Sequence, residues 1–113
     1  EAVVEEVIAV NYVPMPRPLV FNVMEGKRDR TVQIKVQLLV RGDGNEEIAK
    51  KHIPLIEGTL LNVFSMTTAD ELSSSVGKET LRFTALDKVQ AAMMDVEGSK
   101  VIERVLFTGF VMQ

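Results

Sequence analysis

Residues 31–41 read TVQIKVQLLVR, the stretch that most constrains how this chain folds. Val32, Ile34, Val36, Leu38 and Val40 alternate with Thr31, Gln33, Lys35, Gln37, Leu39 and Arg41. Successive side chains of a strand point to opposite faces. A period of two therefore predicts a strand buried on one side and largely wet on the other. LVFNVM (19–24) reads as a second strand, with the polar EGKRDR between them as the turn of an antiparallel hairpin.

The remaining segments fill in around this hairpin. Residues 1–13 (EAVVEEVIAVNYV) are expected to be a linker or short helix, since Val4, Val7 and Ile8 recur at helical spacing. Pro14, Pro16 and Pro18 fix their own φ and bias their predecessors away from helix, so this segment is extended. Its flanking apolar residues favour an edge or lead-in to a strand over a polyproline ligand. After Asp43-Gly44-Asn45, with Asp43 or Asn45 as the cap, Ile48, His52, Leu55, Ile56, Leu60, Val63 and Phe64 keep helical spacing. Pro54 is expected to kink that helix. Thr68-Ala-Asp-Glu71 fits a capping box. A long helix is expected over about 76–95, with Val76, Leu81, Ala85, Val89, Ala92, Met93 and Val96 as one apolar stripe.

The last strand, 100–113, is apolar on both faces beyond Val105. That fits a strand flanked by neighbours and covered by helices on at least one side. The closing VLFTGFVMQ is expected to pair with the 31–41 strand or its hairpin partner, under the long helix. Strands and helices are segregated, so the fold class is α+β. A mostly antiparallel sheet carries helices on one face, in a single domain over 14–113.

At 113 residues and 46% hydrophobic, the chain buries a core without disulfide or metal staples. A net charge of −3 argues against nucleic acid as the main partner. The absence of cysteine excludes disulfides, thiolate zinc sites and thiol catalysis. No apolar run reaches the length of about 18 residues that spans a bilayer. The sequence starts at Glu1 without Met, and we expect a targeting segment upstream.

Chemical motifs are near misses. Ser73 to Thr80 looks like a phosphate loop, but Leu72 and Glu79 occupy the places of its first glycine and its Ser/Thr. Asp43, Asn45 and Glu47 begin like a calcium loop, yet Ile48 and Pro54 stand where Gly and Glu are needed. Arg41-Gly42-Asp43 spells an adhesion tripeptide that turn requirements alone explain. His52, the single histidine, has no recognisable acceptor or orienting partner, and the serines have no base. We expect no catalytic residue, cofactor or metal. What remains is charge: Arg17, Lys27, Arg28 and Arg30 near the hairpin turn, and Glu46, Glu47, Lys50 and Lys51 along a helix. Both groups are candidate partner-binding surfaces. A module binding a small molecule or lipid is the alternative, with no residue cluster to line its pocket.

VIERVLFTGFVMQ resembles the C-terminal signature of the FliL family of flagellar basal-body proteins, V-x-x-V-x-F-T-x-F-x-x-Q. Val105, Phe107, Thr108, Phe110 and Gln113 match, and Ile102 stands in for the first valine. TADELSSSVGKETLR (68–82) and YVPMPRPLVFNV (12–23) are similar to two further family stretches. Glu57-Gly58 departs from the family's frequent Arg-Asp pair. The resemblance implies a stomatin/SPFH-like core set in the periplasm behind one N-terminal transmembrane helix. It implies no catalysis. Its implied partners are stator units of the MotA/MotB type, and its implied assembly is a homo-oligomeric ring.

Overall fold

A computed structural model describes residues 9–113. The element order is β1 (Val10–Pro14), β2 (Leu19–Glu25), β3 (Arg28–Arg41), α1 (Asp43–Lys51), α2 (Ile53–Phe64), α3 (Ala69–Leu72), α4 (Ser75–Glu97) and β4 (Ile102–Met112). Residues 1–8 of the expected linker or short helix lie outside the described residues. Residues 10–13 are strand rather than helix, because β1 pairs with the far end of β3.

The sheet is organised by β3, whose alternation is that of the sequence: Val32, Ile34, Val36, Leu38 and Val40 are all buried. The hairpin is tighter than EGKRDR suggests. Glu25 faces Arg28, so Gly26-Lys27 is the whole turn. Gly26 has a φ of 63°, at the first central position, where two-residue hairpins commonly require a positive value.

Along one edge of β3, β1 and β2 lie end to end, both antiparallel to it. Pro14 faces Gln37 and Leu19 faces Ile34, so five steps along the edge match three along β3. The proline segment thus inserts two extra residues. An even insertion preserves the facing of side chains, whereas a single residue would reverse it. Val13, Met15, Leu19, Phe21 and Val23 all remain in the core.

β4 takes the opposite edge of β3. Among the described residues it is an edge strand with one strand neighbour, not one flanked on both sides. Its register shifts between Lys35 and Val36 and between Leu39 and Val40, leaving Thr108 and Glu103 as the extra residues. These two bulges explain the signature spacing. Ile102 and Val105 are three apart yet both face inward, opposite Val40 and Leu38; Phe107 and Phe110 repeat this opposite Val36 and Ile34. The bulges, not two buried faces, make the strand look apolar throughout. Its outward Val111 is 49% exposed.

Among the described residues, helices cover only the inner face. Phe64, fully buried, stacks against Phe21 at 5.4 Å and meets Phe107 edge-on at 5.5 Å, joining α2 to both edges of the sheet. Such ring pairs contribute about 0.5–1.5 kcal/mol each beyond area burial. The expected kink at Pro54 is a full break. His52 leaves helical geometry at φ −107° and ψ 21°, and α2 restarts with proline in its first turn, where no amide hydrogen is needed. Neither Asp43 nor Asn45 caps α1. Gly42 occupies the N-cap at φ 85°, while Asn45 donates to the Arg41 carbonyl and Asp43 accepts from Asn11.

The capping box is half formed. Thr68 accepts from the Glu71 amide, but the Glu71 carboxylate takes the Thr67 hydroxyl instead of an amide. In α4 the buried line is Leu81, Ala85, Val89 and Met93. Val96 and Val76, the ends of the expected stripe, are 48% and 77% exposed, and Val76 lies on the side of α4 away from the buried line.

Candidate partner-binding surface

The eight charged candidates do not form one surface. Lys27 and Arg28 sit exposed at the hairpin tip. Arg30 is turned back: it donates to Glu25 at 3.0 Å and to the Gln113 carbonyl at 2.8 Å, tying the tip to the end of β4. Arg17 lies on the proline bulge and grips Glu57 of α2 through two hydrogen bonds of 2.8 and 3.0 Å. It is close to the tip in sequence but a strand-length away in space. Arg17 also gives the departed Glu57-Gly58 pair a role, since Glu57 is its anchor on α2.

The second group lies at the other end of β3. Glu46 and Lys50 pair at 2.8 Å, one turn apart on α1, and Lys51 approaches Glu97 at 3.8 Å. The hydrogen bond and charge of Glu46 raise the pKa of Lys50. Exposed pairs of this kind add little stability. The tip and α1 flank the two ends of a fourteen-residue strand, which spans about 45 Å at roughly 3.3 Å per residue.

His52 has a structural partner. Its Nε2 lies 2.6 Å from Glu97 Oε2, joining the α1–α2 break to the C-terminal turn of α4. The serines are engaged locally: Ser73 donates to the Ala69 carbonyl, and Ser74 caps α4 by accepting from the Gly77 amide. No nucleophile faces His52 among these contacts.

The hydrogen bond from His52, with the positive charge of Lys51, holds the Glu97 carboxyl below its usual range. A carboxylate with a lowered folded-state pKa stabilises the fold above its unfolded value of about 4.3 and loses that contribution as pH falls through the folded value. Glu97→Gln is therefore expected to flatten the acid limb of stability. Urea denaturation from pH 7 down to pH 3 reads this; an unchanged acid limb rules out the linkage.

A depression of about 390 Å³ lies between α2 and α4 and is lined by Leu55, Thr59, Asn62, Met66 and Lys88. It is open to solvent, and of its polar lining residues Thr59 already donates to the Leu55 carbonyl at 2.8 Å. Among the described residues no set of three His, Asp or Glu side chains is placed to hold a metal ion, and no helix is long and apolar enough to cross a membrane.

Sequence reasoning missed how β4 is held. Its free edge is bound by α4: Gln90 donates to the Ile102 carbonyl at 2.8 Å, Arg82 reaches the Val105 carbonyl at 3.4 Å, and the Lys78 ammonium sits 4.4 Å from the centre of the Phe110 ring. Polar residues at 78, 82 and 90 recur at helical spacing, a signal that was available but has no fixed meaning without the partner strand.

A family model described as "Flagellar basal body-associated protein FliL" matches residues 12–113, nearly the whole chain. A search of curated proteins returned no match.

Proposed function

We propose that this chain, which belongs to the FliL family of flagellar basal body-associated proteins, is a non-enzymatic motor accessory domain that binds stator units of the MotA/MotB type. The family match across residues 12–113 carries the reading. In the proposal the domain sits in the periplasm on a single-pass inner-membrane anchor. It has a stomatin/SPFH-like core and assembles as a ring around the stator. The ring supports stator assembly and torque during swimming or swarming.

The mechanism is state-selective binding. A ring that holds the stator's ion-conducting arrangement more tightly than its closed one shifts the population by that difference, tenfold for each 1.4 kcal/mol or so. The exposed cations of the hairpin tip and the charged α1 suit such contacts, because they lie at the two ends of a long strand.

Reversing Lys27 and Arg28 together to Glu is expected to lower stator recruitment at the motor and motility under load, with an unchanged circular dichroism spectrum. Arg17 and Arg30 are poorer test positions, since both are already paired within the domain. Unaltered recruitment and motility in the double variant would remove the tip from the partner surface.

A further inference from the structure

Apolar side chains left exposed by this fold fall mainly into two patches. Tyr12, Val20 and Val111, with Val10 and Met24 at the ends, lie on the outer face of the sheet, which no helix among the described residues covers. Val76, Phe83 and Met94 lie on α4 at 77%, 55% and 44% exposure. At about 100° per residue these three and Asp87 fall within roughly 40° of one another, opposite the buried line of Leu81, Ala85, Val89 and Met93. The helix is thus apolar on two sides, while only one of them meets its own core. A helix apolar on both sides calls for a second contact.

Both patches are elongated, with a charged residue near the middle. Tyr12 and Val20 face Leu39 and Gln33 of β3, about 20 Å apart, and Val76 to Met94 spans about 27 Å. On the sheet, Lys35 lies between the two apolar rows; on α4, Asp87 lies between Phe83 and Met94. Among the described residues neither Lys35 nor Asp87 has a salt-bridge partner. Asp95 adds negative charge to the helix side, offset in part by Lys88, while Glu79 is already paired with Arg82; Arg104 adds positive charge to the sheet side.

We propose that the outer sheet face of one copy receives the α4 line of a second copy, with Lys35 against Asp87. The two surfaces belong to different layers and point in different directions. The contact is therefore head-to-tail, a geometry that builds closed rings or filaments rather than two-fold dimers. This deepens the self-association in the reading above and rests on it.

The chain has no cysteine, so introduced thiols report cleanly. Gln33→Cys sits on the sheet patch between Val20 and Val111, and Thr80→Cys on the helix line between Val76 and Phe83. Tethered to lipid vesicles to raise local concentration, a mixture of the two variants is expected to form the 33–80 disulfide, while each variant alone forms none. Lys35→Glu or Asp87→Lys alone, added to these variants, is expected to cut cross-linking about tenfold or more, and the charge swap to restore it. Cross-linking of either variant with itself, no cross-linking in the mixture, or no rescue by the swap overturns the contact. Stator recruitment persisting in chains that fail to cross-link would sink this contact while leaving the stator reading standing.

Discussion

Deleting residues 109–113 is expected to yield a chain that does not fold. In β4, Gly109 to Met112 pair with Val32 to Lys35, and the Gln113 amide donates to the Thr31 carbonyl at 2.8 Å. Phe110 and Met112 pack against the core, and Val32 and Ile34 beneath them are fully buried. The deletion removes two large half-buried side chains, whose truncation costs about 2–5 kcal/mol each where burial is complete and less here, and leaves the edge of β3 beside them unpaired. It also takes away the carbonyl that Arg30 holds and the ring that Lys78 covers. A domain of this size has only about 5–15 kcal/mol in total. A dispersed amide spectrum from the shortened chain at 25 °C would show that the strand end is dispensable.

Gly77→Ala has the second largest expected effect, a loss of about 3 kcal/mol. A methyl group at Gly77 would lie 2.7 Å from the Glu71 carbonyl carbon and 2.9 Å from its Cα, and would overlap the carbonyl oxygen itself. That neighbour is backbone at the end of α3, so no side chain can move aside. The first turn of α4 must instead lift away from α3, which loosens the Ser74 cap. Gly58→Ala is the internal control. Gly58 lies within α2 with open space around it, and alanine there is expected to add about 0.5–1 kcal/mol through helix propensity. Thermal unfolding of both variants reads the contrast. Equal shifts of the same sign would refute the close approach at Gly77.

Both effects pass through residues that the sequence marks without explaining. Val105, Phe107 and Phe110 are visible as a spaced set, but an α+β reading assigns them to two faces. The bulges at Glu103 and Thr108 bring them to one, and a bulge is a property of a strand pair. Gly77 and Lys78 resemble part of a phosphate loop in sequence. In the fold, Gly77 permits a close approach to α3 and Lys78 covers an aromatic ring. The charged candidates fail differently. Nearness in sequence grouped Arg17 with the tip, but the length of β2 separates them.

Sequence alone determined the strand of residues 31–41, the hairpin, the proline interruption, the irregularity at Pro54 and the segregation of strands from helices. Each of these rests on local periodicity or on the φ limits of proline and glycine. Tertiary structure alone decided that β1 and β2 share one edge, that β4 closes the other, and that Val76 lies outside the core line of α4. A strand with odd spacing admits more than one facing. Only the packing of Phe64 between Phe21 and Phe107, and the registers on both edges of β3, select among them.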